Sequence, residues 1–189
     1  MKKTLMLALA PLTLIAGLTW NTPRAGDYVV LDHDAKPFTS AFNKDHGKVR
    51  LVMYVSPTCG GCLLGAREMQ QEVLEAIDDP NLMAYVIWAP KNGGREEHVD
   101  RVTDLVTDAR ATQYWDEHAA VAGPYDRMFD LAGPCAGVFA LYGPDTKWDG
   151  ETPPEPLLWQ DAHADQRGRE DNPEVDAKTM AKRIRVLLS

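Results

Sequence analysis

Apolar side chains are grouped along this chain in two ways, and each grouping predicts a different element. Short continuous runs at 49–55, 82–88 and 136–142 are rich in β-branched and aromatic residues, the pattern of strands buried on both faces of a sheet. Between the first two, Leu63, Ala66, Met69, Val73 and Ile77 recur at steps of three and four, which draws one apolar stripe down a helix. Pro80 biases its predecessor away from helical angles, so this helix is expected to end near Asp78 and Asp79, and Thr58 is placed to cap its start. Strand, helix and strand within about forty residues predict a right-handed crossover unit.

The remaining elements are fainter. Tyr28 to Leu31 reads as a short strand and 32–37 as a turn cluster, which together predict a small N-terminal strand or hairpin. Residues 95–131 hold two helical patterns: Val99, Val102 and Val106, then Tyr125, Met128 and Phe129 after Gly123-Pro124. The link between them, 108–115, is irregular or strand-like. Within the Pro-, Asp- and Glu-rich stretch 147–173, Leu157, Leu158 and Trp159 predict an antiparallel edge strand. Asn172-Pro173-Glu174 signals a last helix carrying Ala177, Met180, Ile184 and Leu187 on one stripe. The expected fold is therefore α/β, one domain over 26–189, with a central mixed sheet of about four to five strands flanked by helices and a helical insertion between the second and third core strands.

Ahead of that domain, Met1-Lys2-Lys3 and the uncharged apolar stretch to Leu18 have the layout of a secretory signal, which assigns 1–25 to a leader and the protein to export. The rival is an uncleaved N-terminal anchor. The run is about 15 residues and is interrupted by Pro11, short of the roughly 20 a spanning helix needs. The full chain carries a net charge of -8, and removing 1–25 takes away Lys2, Lys3 and Arg24 but no acid. Such a balance argues against nucleic acid and anionic membranes as partners.

One stretch carries explicit chemistry. Cys59-Gly60-Gly61-Cys62 lies where the first apolar run meets the helical stripe, at a strand-to-helix turn. A thiol there faces unpaired backbone N–H groups and the positive end of the helix dipole, both of which favour thiolate. Cys59 is the expected nucleophile. Cys62, nearly one turn further in, can attack a mixed disulfide formed on Cys59 and release the partner. Neither glycine offers a charge or an imidazole to tune the pair, which predicts neither an extreme oxidant nor an extreme reductant. An inert brace is the alternative, but closing so short a loop adds little stability.

Strand, CxxC opening a helix, then strand resembles the thioredoxin superfamily, and with the leader it is similar to the exported thiol-disulfide oxidoreductases of the bacterial cell envelope. The resemblance covers about 49–88 directly and the rest by element order. It implies a thioredoxin-like fold, a redox-active Cys59–Cys62 disulfide, protein thiols or disulfides as partners, a membrane electron donor in some relatives, a periplasmic or envelope location, a monomer, and no cofactor or metal. It also implies a cis-proline before the third core strand, lying against the cysteines. Pro134 is the nearest candidate, and with Cys135 it forms the expected substrate-binding position. Met53 stands where some relatives place a buried carboxylate, so proton transfer at Cys62 needs water or another group.

The other candidates have plain readings beside them. Cys135 is a second resolving thiol, a metal ligand or simply a small buried residue. His163, 101 residues after Cys62, is the distant histidine that a copper-handling protein of this fold would use with the cysteine pair; in so polar a stretch its plain reading is a solvated side chain. His33, His46, His98 and His118 stand alone, Asp116-Glu117 reads as solvated charge, and Trp88, Trp115, Trp148 and Trp159 as packing. The leading function is thiol-disulfide exchange. The rivals are soft-metal handling and a binding domain that keeps the pair without turnover.

Overall fold

The computed structural model describes residues 27–131, 137–164 and 174–189 of the chain. The expected leader, Pro134 and Cys135 lie outside the described residues. The elements in order are β1 (Tyr28–Leu31), α1 (Lys36–Lys44), β2 (Val49–Val55), α2 (Gly60–Met69), β3 (Leu82–Trp88), α3 (Glu96–Val99), β4 (Ala111–Asp116), α4 (Ala122–Met128), β5 (Gly137–Tyr142), β6 (Leu158–Asp161) and α5 (Ala177–Leu188).

The strands form one sheet in the order β1-β4-β3-β2-β5-β6. β1, β4, β3 and β2 run parallel, β5 runs antiparallel to β2, and β6, antiparallel to β5, points the same way as the parallel four. That makes six strands where four to five were expected, because 111–116 is a full member of the sheet between β1 and β3. Gln113 had blurred its apolar pattern. In the fold the Gln113 side chain is buried and satisfied: Trp88 Nε1 donates to its Oε1 at 2.8 Å, and its Nε2 donates to Thr103 O at 2.8 Å and Val106 O at 2.9 Å. The segment between β3 and β5 thus adds a strand as well as the helices α3 and α4.

Both faces of the sheet are covered, which is why β2, β3 and β5 read as continuous apolar runs. Side chains alternate across the pleat. Leu51, Met53 and Val55 pack with α2 and α5 on one face, and Val52 and Tyr54 with α1, α4 and Trp148 on the other. α1 was not foreseen; a small strand or hairpin was expected, and of these only the strand, β1, is present among the described residues. The inward face of α1 is only Phe38 and Phe42, one turn apart and both fully buried, so its apolar signal is two residues long. The helix opened by the cysteines passes into a π-helical turn at Gln70–Leu74, and Ala66, Met69, Val73 and Ile77 are buried as the stripe requires. α5 starts later than the Asn172-Pro173 signal. Its cap is Asp176, whose carboxylate accepts from Lys178 N at 3.0 Å and Thr179 N at 3.1 Å.

α2 sits close to the sheet because Gly65 has no side chain. A Cβ there would lie 2.6 Å from Cζ of Phe139, which is fully buried. Alanine in a helix is better than glycine by about 1 kcal/mol, while overpacking a core costs about 1–3 kcal/mol. Gly65→Ala is therefore expected to lower stability by about 1 kcal/mol, and at most about 2, in urea unfolding. An unchanged midpoint would mean that the Phe139 ring yields freely.

Candidate functional site

The site lies at the edge of the sheet where β2 ends, and the topology explains what meets there. β2 finishes at Val55, opposite Gly137 at the start of antiparallel β5. The next residue of β5, Val138, is opposite Asp161 at the end of β6. The end of β2, the start of β5 and the end of β6 are thus neighbours, although 59 and 163 are far apart in sequence.

Leaving β2, the chain is held by the loop after β3. Ser56 Oγ donates to Lys91 O at 2.7 Å, Thr58 Oγ1 donates to Asn92 O at 2.9 Å, and Asn92 Nδ2 donates back to Thr58 O at 3.0 Å. Asn92 adopts a left-handed φ of 52° to do so. Thr58 is therefore committed to this loop, and the N-cap of α2 is Cys59 itself, with extended backbone angles and no side-chain cap bond. Its sulfur sits at the positive end of the helix.

Cys59 and Cys62 are both buried, and no disulfide joins them. The group that joins them is His163, two residues beyond β6. Its Nε2 lies 2.9 Å from Cys59 Sγ and 3.6 Å from Cys62 Sγ. The reading of His163 as a solvated loop residue is thereby corrected: it is 5 % exposed. Two features hold it there. The His163 backbone N–H donates to the carboxylate of buried Asp161 at 2.9 Å, and Gly61 leaves room for the ring. A Cβ on Gly61 would stand 3.1 Å from His163 Cε1 and 3.3 Å from Ala162 O. The imidazole that the motif lacks is thus delivered from another strand. The ring's second nitrogen, Nδ1, is buried without a hydrogen-bond partner.

The Cys59 thiol is pushed down to about 5 from its usual 9. The largest cause is the hydrogen bond from the Cys62 side chain, followed by the Cys62 backbone N–H and by the charge and hydrogen bond of His163; burial works in the opposite direction. At neutral pH Cys59 is then a thiolate, and His163 Nε2–H donates to it. Met53 is fully buried, so no carboxylate lies behind the pair at that position. Gly137 also closes on the site: a Cβ there would fall 2.9 Å from Cys62 Sγ and 2.8 Å from Ala162 Cβ.

The three donors, Cys59 Sγ, Cys62 Sγ and a ring nitrogen of His163, lie within 4.8 Å of one another. Two thiolates and an imidazole suit a soft or borderline ion such as Cu(I) or Zn²⁺. Of the four histidines read as isolated, His33 and His118 are not: their rings stack with centroids 3.9 Å apart. Asp116 is likewise buried, not solvated. Its carboxylate accepts from the backbone N–H groups of Ala120, Val121 and Ala122.

A sign of His163 was present in the sequence. An antiparallel edge strand at 157–159 returns the chain toward the end of the sheet where the cysteines lie, so residues just after it had to approach them.

No protein-family model matches the chain, and no curated protein matches its sequence. Solved structures do match its shape. A protein from Neisseria meningitidis described as a thioredoxin is 18% identical over 77% of this chain and 79% of that one, with a TM-score of 0.51. A protein from Chlorobium tepidum described as the thiol:disulfide interchange protein DsbE is 14% identical over 78% and 85%, with a TM-score of 0.50. A SCO1/SenC family lipoprotein from Bacillus anthracis is 10% identical over 77% and 84%, also with a TM-score of 0.50. At these identities the match speaks for architecture, and with the sheet order and the CxxC at the head of α2 it establishes that this chain has a thioredoxin-like fold.

Proposed function

We propose that the protein is an exported thiol-disulfide oxidoreductase that exchanges two electrons with protein partners through Cys59 and Cys62. The observation that carries this reading is the Cys59 sulfur at a helix N-terminus, within hydrogen-bonding reach of Cys62 and of His163 Nε2, which together hold the nucleophile's thiol well below its usual value. Export rests on the charged start and apolar stretch of 1–18. The named similarities to exchange proteins agree with the reading, and the partners would be proteins carrying thiols or disulfides.

The exchange balances as follows. The Cys59 thiolate attacks one sulfur of a partner disulfide; a Cys59–partner bond forms and the partner's other sulfur leaves as a thiolate. Cys62 then attacks Cys59, closing the Cys59–Cys62 disulfide and freeing the second partner sulfur, and the Cys62 proton leaves with the released dithiol. The partner has gained two electrons. Every step reverses, and the anion's stabilisation favours the reduced protein, which tilts the oxidised form toward accepting electrons.

Redox titration of the purified protein in glutathione buffers is expected to show one reversible two-electron couple, with a potential above the roughly -270 mV of thioredoxin. A couple at or below that value would make the protein an electron donor to its partners, the opposite of the tilt expected from the stabilised thiolate, and no couple would end the exchange reading. A second reading has its own observation, the Cys59, Cys62 and His163 donor set. Under it the protein handles a soft metal, and the two thiols become titratable only after chelation.

A further inference from the structure

β1 and β4 are parallel neighbours whose last paired residues are Leu31 and Asp116. Each strand leaves the sheet with an acidic residue followed by a histidine: Asp32-His33 from β1 and Glu117-His118 from β4. The shared register therefore sets two acid-histidine pairs side by side, at the carboxyl edge of the parallel strands. The His33 and His118 rings are stacked, with an interplanar angle of 16°. His33 Nε2 lies 3.9 Å from Asp32 Oδ1, and His118 Nε2 lies 3.9 Å from Glu117 Oε2. One ligand atom from each of Asp32, His33 and His118 falls within 4.8 Å of the others.

Both turns are held by their own hydrogen bonds. Asp32 Oδ1 accepts from His33 N at 2.7 Å and Asp34 Oδ1 from Lys36 N at 3.1 Å. On the other side the buried Asp116 carboxylate pins the backbone of 120–122, and Ala119 takes a left-handed φ of 56° directly after His118. Lys36, in the same turn, is paired with Asp34 at 2.9 Å, and among the described residues no lysine or arginine forms an ion pair with Asp32 or Glu117. His33 also lines a cavity of about 650 Å³ with Trp148, Pro124 and Arg127, so an ion bound at its mouth would keep coordination positions open to that space.

We propose that Asp32, His33 and His118, with Glu117 beside them, form a surface site for a borderline divalent transition-metal ion such as Zn²⁺, separate from the thiols. Two imidazoles and a carboxylate are nitrogen and oxygen donors that such ions accept at about 2.0–2.2 Å. The exposed side chains need only small rotations to reach it. Bound there, the ion would tie the turn after β1 to the turn after β4.

The test is calorimetric titration with ZnCl₂ of the Cys59→Ser/Cys62→Ser/Cys135→Ser triple variant, in which no thiol donor remains, so that the fate of the redox reading does not bear on the result. One saturable ion per chain is expected, with a rise in the melting temperature. Adding His33→Ala or His118→Ala should each weaken binding by about tenfold or more, since removing even an outer partner of a metal ligand costs about 10–100-fold. Both histidines are at the surface, and the melting temperature without metal should stay unchanged, which separates lost ligation from lost folding. Absence of saturable binding, or binding that survives either histidine substitution, overturns the proposal.

Discussion

His163→Ala is expected to move the alkylation midpoint of Cys59 in the metal-free protein from about 5 up to roughly 6–7. A hydrogen bond to a charged group contributes about 1.5–3 kcal/mol, which is about one to two pKa units. The shift stops short of the ordinary value of 9 because the hydrogen bonds from Cys62, the largest influence on the thiol, remain. The sign is fixed by the folded-state value lying below the free one. The anion's stabilisation is complete above about 9 and is lost as the pH falls through about 5 in the native protein. Between these limits the variant should carry up to about 10–100 times less thiolate at the low end, and its potential should fall by roughly 30–60 mV, because 30 mV corresponds to about 1.4 kcal/mol for two electrons. Iodoacetamide rates against pH measure the first effect and glutathione titration the second. If the midpoint stays near 5, His163 is a neighbour of the thiols and not their stabiliser.

Arg50→Met is expected to destabilise the fold by about 1–3 kcal/mol, the usual cost of leaving buried acceptors without their donor. Arg50 sits in central strand β2 and is fully buried. Its Nη1 donates to Phe42 O at 3.1 Å and Thr146 O at 3.0 Å, and its Nη2 to Pro144 O at 3.2 Å and to Gly143 O. The guanidinium also stands 4.3 Å above the Phe42 ring. These carbonyls belong to the end of α1 and the turn after β5, so a single side chain pins both to the sheet. Methionine is of similar length and would fill the space, but it leaves those carbonyls without their charged donor. Arg50→Lys should recover part of the loss, because an ammonium offers donors but not the planar fork. Urea unfolding decides it. A loss below about 1 kcal/mol for Arg50→Met would show that the turn holds without the arginine.

The legible part of the fold is the part whose physics is local. β2, β3 and β5 are buried on both faces, so their apolar runs show in any window that contains them, and the helical stripe from Ala66 to Ile77 follows the same logic. The thiol pair was placed correctly because a strand-to-helix turn is itself a local pattern. β4 was blurred by Gln113, a polar residue whose burial is tolerable only because Trp88, Thr103 and Val106 come to meet it. α1 was missed because two phenylalanines are too short a stripe to stand out from a turn-rich stretch.

The sequence by itself determined the α/β class, the core strands and the presence of a cysteine pair at the head of a helix. Only the tertiary structure decided what surrounds that pair. His163 reaches it because β6 runs antiparallel to β5 and Gly61 leaves space for the ring; His33 meets His118 because β1 and β4 end in register. Both encounters depend on strand order and direction across the sheet, which link residues about a hundred apart and leave no periodic trace along the chain.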